Sequence, residues 1–153
     1  MAKELLTQGQ AVVGGLYVKR GLALHELTET HLASTFADGL GAVGTKLFTG
    51  AIPAGAIVLG GKVVVTAGFV GSGNNAAAMK VGDGTTADRY NTATINVYVA
   101  AANGIDLGLP SGVRFHDVAK TPKITVTMNS DFTSVLAGGG SITVSLFYIT
   151  TLA

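Results

Sequence analysis

The segment KITVTMN, residues 123–129, alternates apolar and polar side chains with a period of two residues. Ile124, Val126 and Met128 therefore share one face of an extended chain, and polar side chains occupy the other face. This pattern is typical of a half-buried strand in an antiparallel sheet, which has one face on the core and one in solvent. The segment predicts β-structure.

The same alternation recurs along the chain. In residues 141–149 one face carries Ile142, Val144, Leu146 and Tyr148, and residues 94–99 alternate in the same way. Shorter strand candidates are residues 56–59, 62–69, 78–81 and 113–118. Glycine-rich turns separate these runs, with Gly60-Gly61 suited to a tight hairpin and further turns at residues 103–104 and 138–140. Many short strands joined by glycine turns predict an all-β sandwich or barrel.

The first fifty residues have a different pattern. Residues 11–18 and 22–27 could be strands, and residues 28–36 could form a short helix capped by Thr28 or Thr30. We therefore predict an N-terminal arm or accessory segment over residues 1–44 and a β-sandwich domain over residues 45–153.

Composition limits the possible functions. A chain of 153 residues is long enough for one domain, and the absence of cysteine excludes disulfides and thiolate metal sites. Charged residues are 12% of the chain, about half the ~25% of soluble domains. The net charge of +1 lacks the basic surplus of a nucleic-acid-binding protein. Glycines interrupt the longest uncharged stretch, residues 132–153, so we expect no membrane partner.

Two sets of histidines are candidate chemical sites. His25 and His31 are six residues apart, whereas two imidazoles on one helix face need a spacing of four. His116-Asp117 follows a strand candidate, but no G-x-S-x-G nucleophile motif accompanies it. The expected role of His116 is a sheet-edge residue beside a solvated Asp117. We predict no catalytic residues and no enzyme activity.

The loop around Asp83 and Asp88 is the candidate metal site. Its glycines and acidic residues resemble a divalent-cation loop, but an EF-hand would need ligands where Ala87 and Thr94 stand. A glycine turn closed by side-chain hydrogen bonds fits the residues better. The GSGNNA stretch at residues 71–76 lacks the βαβ unit of a dinucleotide site. We therefore predict no metal and no cofactor.

A set of short motifs occurs in a distinctive order. It contains IPAGA at residues 52–56, VGD at 81–83, ADRY at 87–90, ITVT at 124–127, LAGG at 136–139 and a closing strand with a tyrosine at 148. This order is similar to that of head decoration (cement) proteins of tailed bacteriophages. The resemblance implies a jelly-roll-like antiparallel β-sandwich and a homotrimer. It also implies a place on the outer surface of the virion capsid, across joints between major capsid protein subunits, after synthesis in the host cytoplasm.

The low charge, independently of this resemblance, predicts that part of the surface is covered by other subunits. Sheet edges must be protected, and with few charged residues available we expect other subunits to cover edges or faces. Phe147 and Ile149 make the second face of the last strand apolar at its end, so we expect them in a subunit interface. Lys3, Lys19 and Arg20 are the expected contacts of the arm with acidic capsid residues. The alternative function is a phage tail or head-fibre domain that binds a carbohydrate or receptor through tyrosine or phenylalanine platforms.

Overall fold

The computed structural model describes residues 10–13, 16–19, 21–38, 41–108, 114–135 and 139–151. The helical elements in these ranges are two 3-10 turns, Ala33–Thr35 and Phe132–Ser134. No helix in the same ranges is long and apolar enough to cross a membrane. The strands are β1 (Gln10–Val13), β2 (Leu16–Lys19), β3 (Leu22–Leu32), β4 (Ala37–Asp38), β5 (Val43–Leu47), β6 (Ile57–Ala67), β7 (Ala77–Gly82), β8 (Ile95–Asn96), β9 (Ala101–Asp106), β10 (Lys123–Met128) and β11 (Ser141–Thr151).

Two antiparallel sheets form the sandwich. One has five strands in the order β4-β5-β10-β7-β8, and the other has four in the order β3-β11-β6-β9. The strands β1 and β2 pair separately as a hairpin. Both central strands, β10 and β11, come from the C-terminal third of the chain, where the alternation of the sequence is clearest. The predicted antiparallel β-sandwich is confirmed.

The pairing of the strands follows the jelly-roll order. Leaving aside the two-residue β4, eight strands run from β3 to β11. The first pairs with the eighth, the second with the seventh, the third with the sixth and the fourth with the fifth. Such nested pairing describes one long antiparallel ribbon rolled up into two sheets. The jelly-roll expectation is therefore confirmed.

The core lies between the two sheets. Ile124 and Val126 of β10 are fully buried, and so are Val144 and Leu146 of β11, on the faces that their alternation predicted. Phenylalanines close one end, where Phe36, Phe69 and Phe132 pack with ring centroids 5.6–6.2 Å apart. Burying each such side chain stabilises the fold by about 1.5–3 kcal/mol, because apolar surface is removed from water.

The N-terminal part differs from the expectation. Residues 22–32 form β3, which pairs with β11 over its whole length, so the predicted helix at residues 28–36 is wrong except for the 3-10 turn at Ala33–Thr35. Pairing with β11 along all eleven residues of β3 outweighs the weak local helix preference of this segment. The expected boundary at residue 44 falls inside β5, which pairs with β10. Among the described residues, the sandwich begins at Leu22.

The glycine pair Gly60-Gly61 does not form the predicted hairpin turn. It lies inside the continuous strand β6, next to a register shift against β11. A Cβ at Gly61 would lie 2.5 Å from the Ser145 carbonyl oxygen and within 3 Å of the Leu107 and Leu146 side chains. The glycine is therefore needed for close packing between strands rather than for chain reversal.

Candidate docking surface on the four-stranded sheet

The outer face of the four-stranded sheet, which points away from the five-stranded sheet, carries a row of apolar side chains. Leu24 of β3 stands opposite Ile149 of β11, Ile149 stands opposite Ile57 of β6, and Ile57 bridges to Phe115. Because residues directly opposite each other in antiparallel pairs share a face, these four side chains form one line across the sheet. We call this line the apolar row.

The apolar row is exposed to solvent. Leu24 is 68% exposed and Phe115 is 53% exposed, Ile57 is also exposed and Ile149 is half-buried. Single exposed apolar residues are ordinary, but a contiguous set on one face indicates an interaction surface. The arrangement offers a contiguous apolar surface that another protein can cover.

A groove lies beside the apolar row. Phe147 of β11 stands opposite Gly60, and the missing side chain there leaves an open groove of about 600 Å³. Its walls include Lys62, Asn103 and Asp106. The Lys62 Nζ lies 5.7 Å from the centroid of the Phe147 ring, within the range of a cation–π contact. The groove thus combines one aromatic ring with a cation, a carboxylate and an amide.

The predicted contact residues fall in two groups. Phe147 and Ile149 are both half-buried on the outer face, Phe147 in the groove and Ile149 in the apolar row. Lys19 is the last residue of β2, and its side chain lies outside the described residues, as do Lys3 and Arg20. The structure therefore brings together the two apolar residues of the prediction.

The acidic loop after β7 is closed by its own hydrogen bonds. One carboxylate oxygen of Asp83 accepts the backbone N–H groups of Thr85 at 3.0 Å and Thr86 at 2.7 Å. The other lies 2.6 Å from the Arg89 Nε. Burial raises the pKa of Asp83, but these bonds and Arg89 outweigh it and hold the pKa below its usual value. The carboxylate of Asp83 is thus engaged in the turn.

Asp88, the second residue of the candidate metal loop, lies elsewhere. Its carboxylate pairs with the Lys80 Nζ at 3.4 Å on the surface. Among the residues that the structure describes, no group of three or more histidine, cysteine or acidic side chains could hold a metal ion. The structure places Asp83 and Asp88 in separate ion pairs rather than on a common centre.

The segment of His116 borders the start of β6, as a sheet-edge position predicts, but the imidazole is buried. The segment 114–120 forms isolated bridges to Ile52 and Ile57 instead of the predicted strand, and it turns the imidazole inward. Its Nε2 lies 3.0 Å from the hydroxyl of the fully buried Tyr90. Burial and the nearby Arg89 lower the pKa of His116, and burial raises that of Tyr90, so both groups stay neutral near pH 7.

The two histidines of β3 are structural and separate. His25 bonds Thr150 Oγ1 at 2.9 Å and stacks on Tyr148. His31 is buried against Phe48, with its Nε2 3.8 Å from a carboxylate oxygen of Glu29. Six residues of extended strand separate the two imidazoles by about 20 Å.

Leu24, Ile57 and Phe115 were not singled out from the sequence. The available signal was the spacing of two between Leu22 and Leu24, which marks a strand face but not the side on which it lies. Phe115 and Ile57 are 58 positions apart in the chain, and only an isolated bridge joins them. The sequence therefore carried no signal for this contact.

Comparisons with known proteins give little further information. No protein-family model and no curated protein matches the sequence. Among solved structures, a chain of the cyanophage Pam1 capsid asymmetric unit matches with 15% sequence identity and a TM-score of 0.39. The match covers 98% of this chain and 92% of that chain. At this TM-score the similarity carries no argument about function.

Proposed function

We propose that this protein is a non-enzymatic structural component of a phage virion, which binds the outside of the capsid across major capsid protein subunits and stabilises it. The exposed apolar row is the observation that carries the proposal, because it offers a contiguous apolar surface for a protein partner. The motif order and the jelly-roll topology support a role as a phage structural protein. The engagement of Asp83 and His116 in internal bonds supports a role without catalysis.

The physical benefit of docking is the removal of apolar surface from water. Covering a largely exposed leucine or phenylalanine contributes up to about 1.5–3 kcal/mol. The four residues of the row can therefore act as the apolar centre of an interface whose polar rim is supplied by the threonines farther along the same sheet face. Thr30 and Thr143, which share a hydrogen bond of 2.8 Å, belong to that rim.

The oligomer and the arm belong to the same proposal. We expect a homotrimer, because closed symmetric assemblies cover apolar surface without leaving a free copy of it. We expect residues 1–20 to run along the capsid or a neighbouring subunit, with Lys3, Lys19 and Arg20 available for acidic capsid residues. A mass measurement showing only monomer at micromolar concentration contradicts the trimer, and unchanged capsid binding after deletion of residues 1–20 contradicts the role of the arm.

The test is co-sedimentation of the purified protein with heads of the phage that encodes it. Ile149→Lys places a charge in the middle of the apolar row, and we expect at least about a tenfold loss of affinity. Val99→Lys is the matched control, because Val99 is 61% exposed but lies outside the row. Equal binding by both variants contradicts the assignment of the row, and no binding by the unmodified protein contradicts the function.

A second function is favoured by the groove at Phe147. Carbohydrate sites combine an aromatic platform with hydrogen-bonding side chains, and here Asn103 and Asp106 line the same groove as the ring. A tail or head-fibre domain would use it to bind a surface glycan. A glycan array should then give hits that Phe147→Ala and Asp106→Asn both abolish, and an array without hits removes this alternative.

A further inference from the structure

The first strand of the sandwich, β3, is a long edge strand. Its eleven residues pair with β11 without a register shift, and its other edge faces no strand among the described residues. The other edges are short or irregular: β4 and β8 have two residues each, and β9 pairs with β6 through a shifted register. The segment also lacks proline and lysine, which commonly protect edges.

An unprotected edge of this length is a template for another strand. Its backbone extends about 35 Å, enough for a full antiparallel ladder. We propose that β3 pairs with β3 of a second copy around a two-fold axis at Leu27. The four-stranded sheets of two copies then join into one continuous eight-stranded sheet.

The side chains select this register. Antiparallel pairing around a two-fold axis places each residue opposite its mirror position, so the choice of the central residue fixes every pair. An axis at Glu26 puts two like carboxylates directly opposite each other, which is unfavourable. An axis at Thr28 sets His25 opposite His31 and Leu27 opposite Glu29, and it leaves Leu22 without a partner. An axis at Leu27 pairs all eleven residues.

The register centred on Leu27 is complementary on both faces of the sheet. On the inner face, His25 stands opposite Glu29 of the second copy, and Leu27 stands opposite its own equivalent. On the outer face, Leu22 and Leu32 become partners, and these leucines are 66% and 50% exposed in the single chain. The Leu22–Leu32 pair occurs twice by symmetry, so both ends of the strand gain an apolar contact.

This inference does not rest on capsid binding, because the contact is measured on the isolated protein. A two-fold contact cannot build a trimer, so it joins trimers to one another where trimers form. It also uses the edge of β3 rather than the apolar row. Failure of the capsid experiment and failure of strand pairing are therefore separate results.

The absence of cysteine allows a direct test of the register. Single variants Glu26→Cys, Leu27→Cys and Thr28→Cys are each oxidised with diamide and analysed for covalent dimers. Only a residue on the two-fold axis meets its own copy at disulfide distance. We expect Leu27→Cys to form dimers at least about tenfold faster than its neighbours. Faster cross-linking at position 26 or 28, or none at all three positions, overturns the proposal.

A charge test on exposed residues does not depend on the packing of Leu27. Leu22→Lys with Leu32→Lys sets lysines opposite lysines, and we expect the dissociation constant from sedimentation to rise at least about tenfold. Mixing the single variants Leu22→Lys and Leu32→Glu should restore association, and Val99→Lys should leave it unchanged. A double variant that associates as strongly as the unmodified protein overturns the proposal. Dimerisation only after deletion of residues 1–20 also overturns it, because the chain's own N-terminal segment then occupies the edge.

Discussion

Replacing Tyr90 by phenylalanine removes one hydroxyl from the interior without changing the shape of the ring. Tyr90 is fully buried, and its hydroxyl lies 3.0 Å from Nε2 of His116, which is 3% exposed. Burial keeps the phenol protonated and the imidazole neutral, so the two groups share one hydrogen bond, in which the hydroxyl donates when the ring carries its proton on Nδ1. The substitution therefore leaves the buried Nε2 atom without its hydrogen-bond partner.

The expected loss follows from this geometry. An unsatisfied buried polar atom costs about 1–3 kcal/mol, so we expect the free energy of unfolding to fall by about 2 kcal/mol at pH 8. For a chain of this size the melting temperature should fall by roughly 4–8 °C. Urea unfolding and calorimetry measure both quantities. Tyr98→Phe, at a half-buried ring, is the matched control and should change the free energy by less than about 0.5 kcal/mol.

The pH dependence tests the direction of the bond. The pKa of His116 in the folded protein lies below its ordinary value of 6.5, so its contribution is complete above pH 6.5 and is lost as the pH falls below it. With the hydroxyl as donor, its removal lets the folded imidazole bind a proton more easily. The difference between Tyr90→Phe and the unmodified protein should therefore shrink in acid. A loss below about 0.5 kcal/mol at pH 8, or a difference that grows in acid, refutes this account.

Three further predictions concern stability. Asp83→Asn removes the buried partner of Arg89 and should cost about 3 kcal/mol in urea unfolding, part of which Arg89→Met recovers. Gly44→Ala should cost about 1–3 kcal/mol, because its Cβ would overlap the Phe132 ring, and a variant of full stability contradicts this contact. Burial lowers the pKa of His31, so the free energy of unfolding should decline below pH 6.5. His31→Gln should show a shallower decline, and an equal slope contradicts this role.

The strands with the clearest alternation could be predicted from the sequence. Residues 123–128 form β10 as expected, and β11 buries Ile142, Val144 and Leu146 on the predicted face. Predictions from weaker patterns were wrong where tertiary contacts gave a residue a different role. Gly104 lies inside β9 with a positive φ of 81° instead of in the predicted turn. Of residues 94–99, only Ile95–Asn96 form a strand, and Val99 is exposed.

The candidate surface was only partly accessible to sequence reasoning. The change from polar to apolar residues at Phe147 and Ile149 was visible along one strand, and both residues lie on the outer face. Their neighbours Leu24, Ile57 and Phe115 come from distant parts of the chain. No local pattern connects these three residues, because strand register sets their proximity.

The sequence by itself determined that the chain forms short strands, since a period of two sorts side chains onto two faces wherever it occurs. For β3 it could not determine which face is inside. In β3 the leucines at 22 and 24 point outward, while His25, Glu29 and His31 point toward the interior. The tertiary structure decided this, because β11 orients β3 and the N–H groups of Thr49 and Gly50 bind the inward Glu29. Burial depends on what packs against a strand, and that partner lies elsewhere in the sequence.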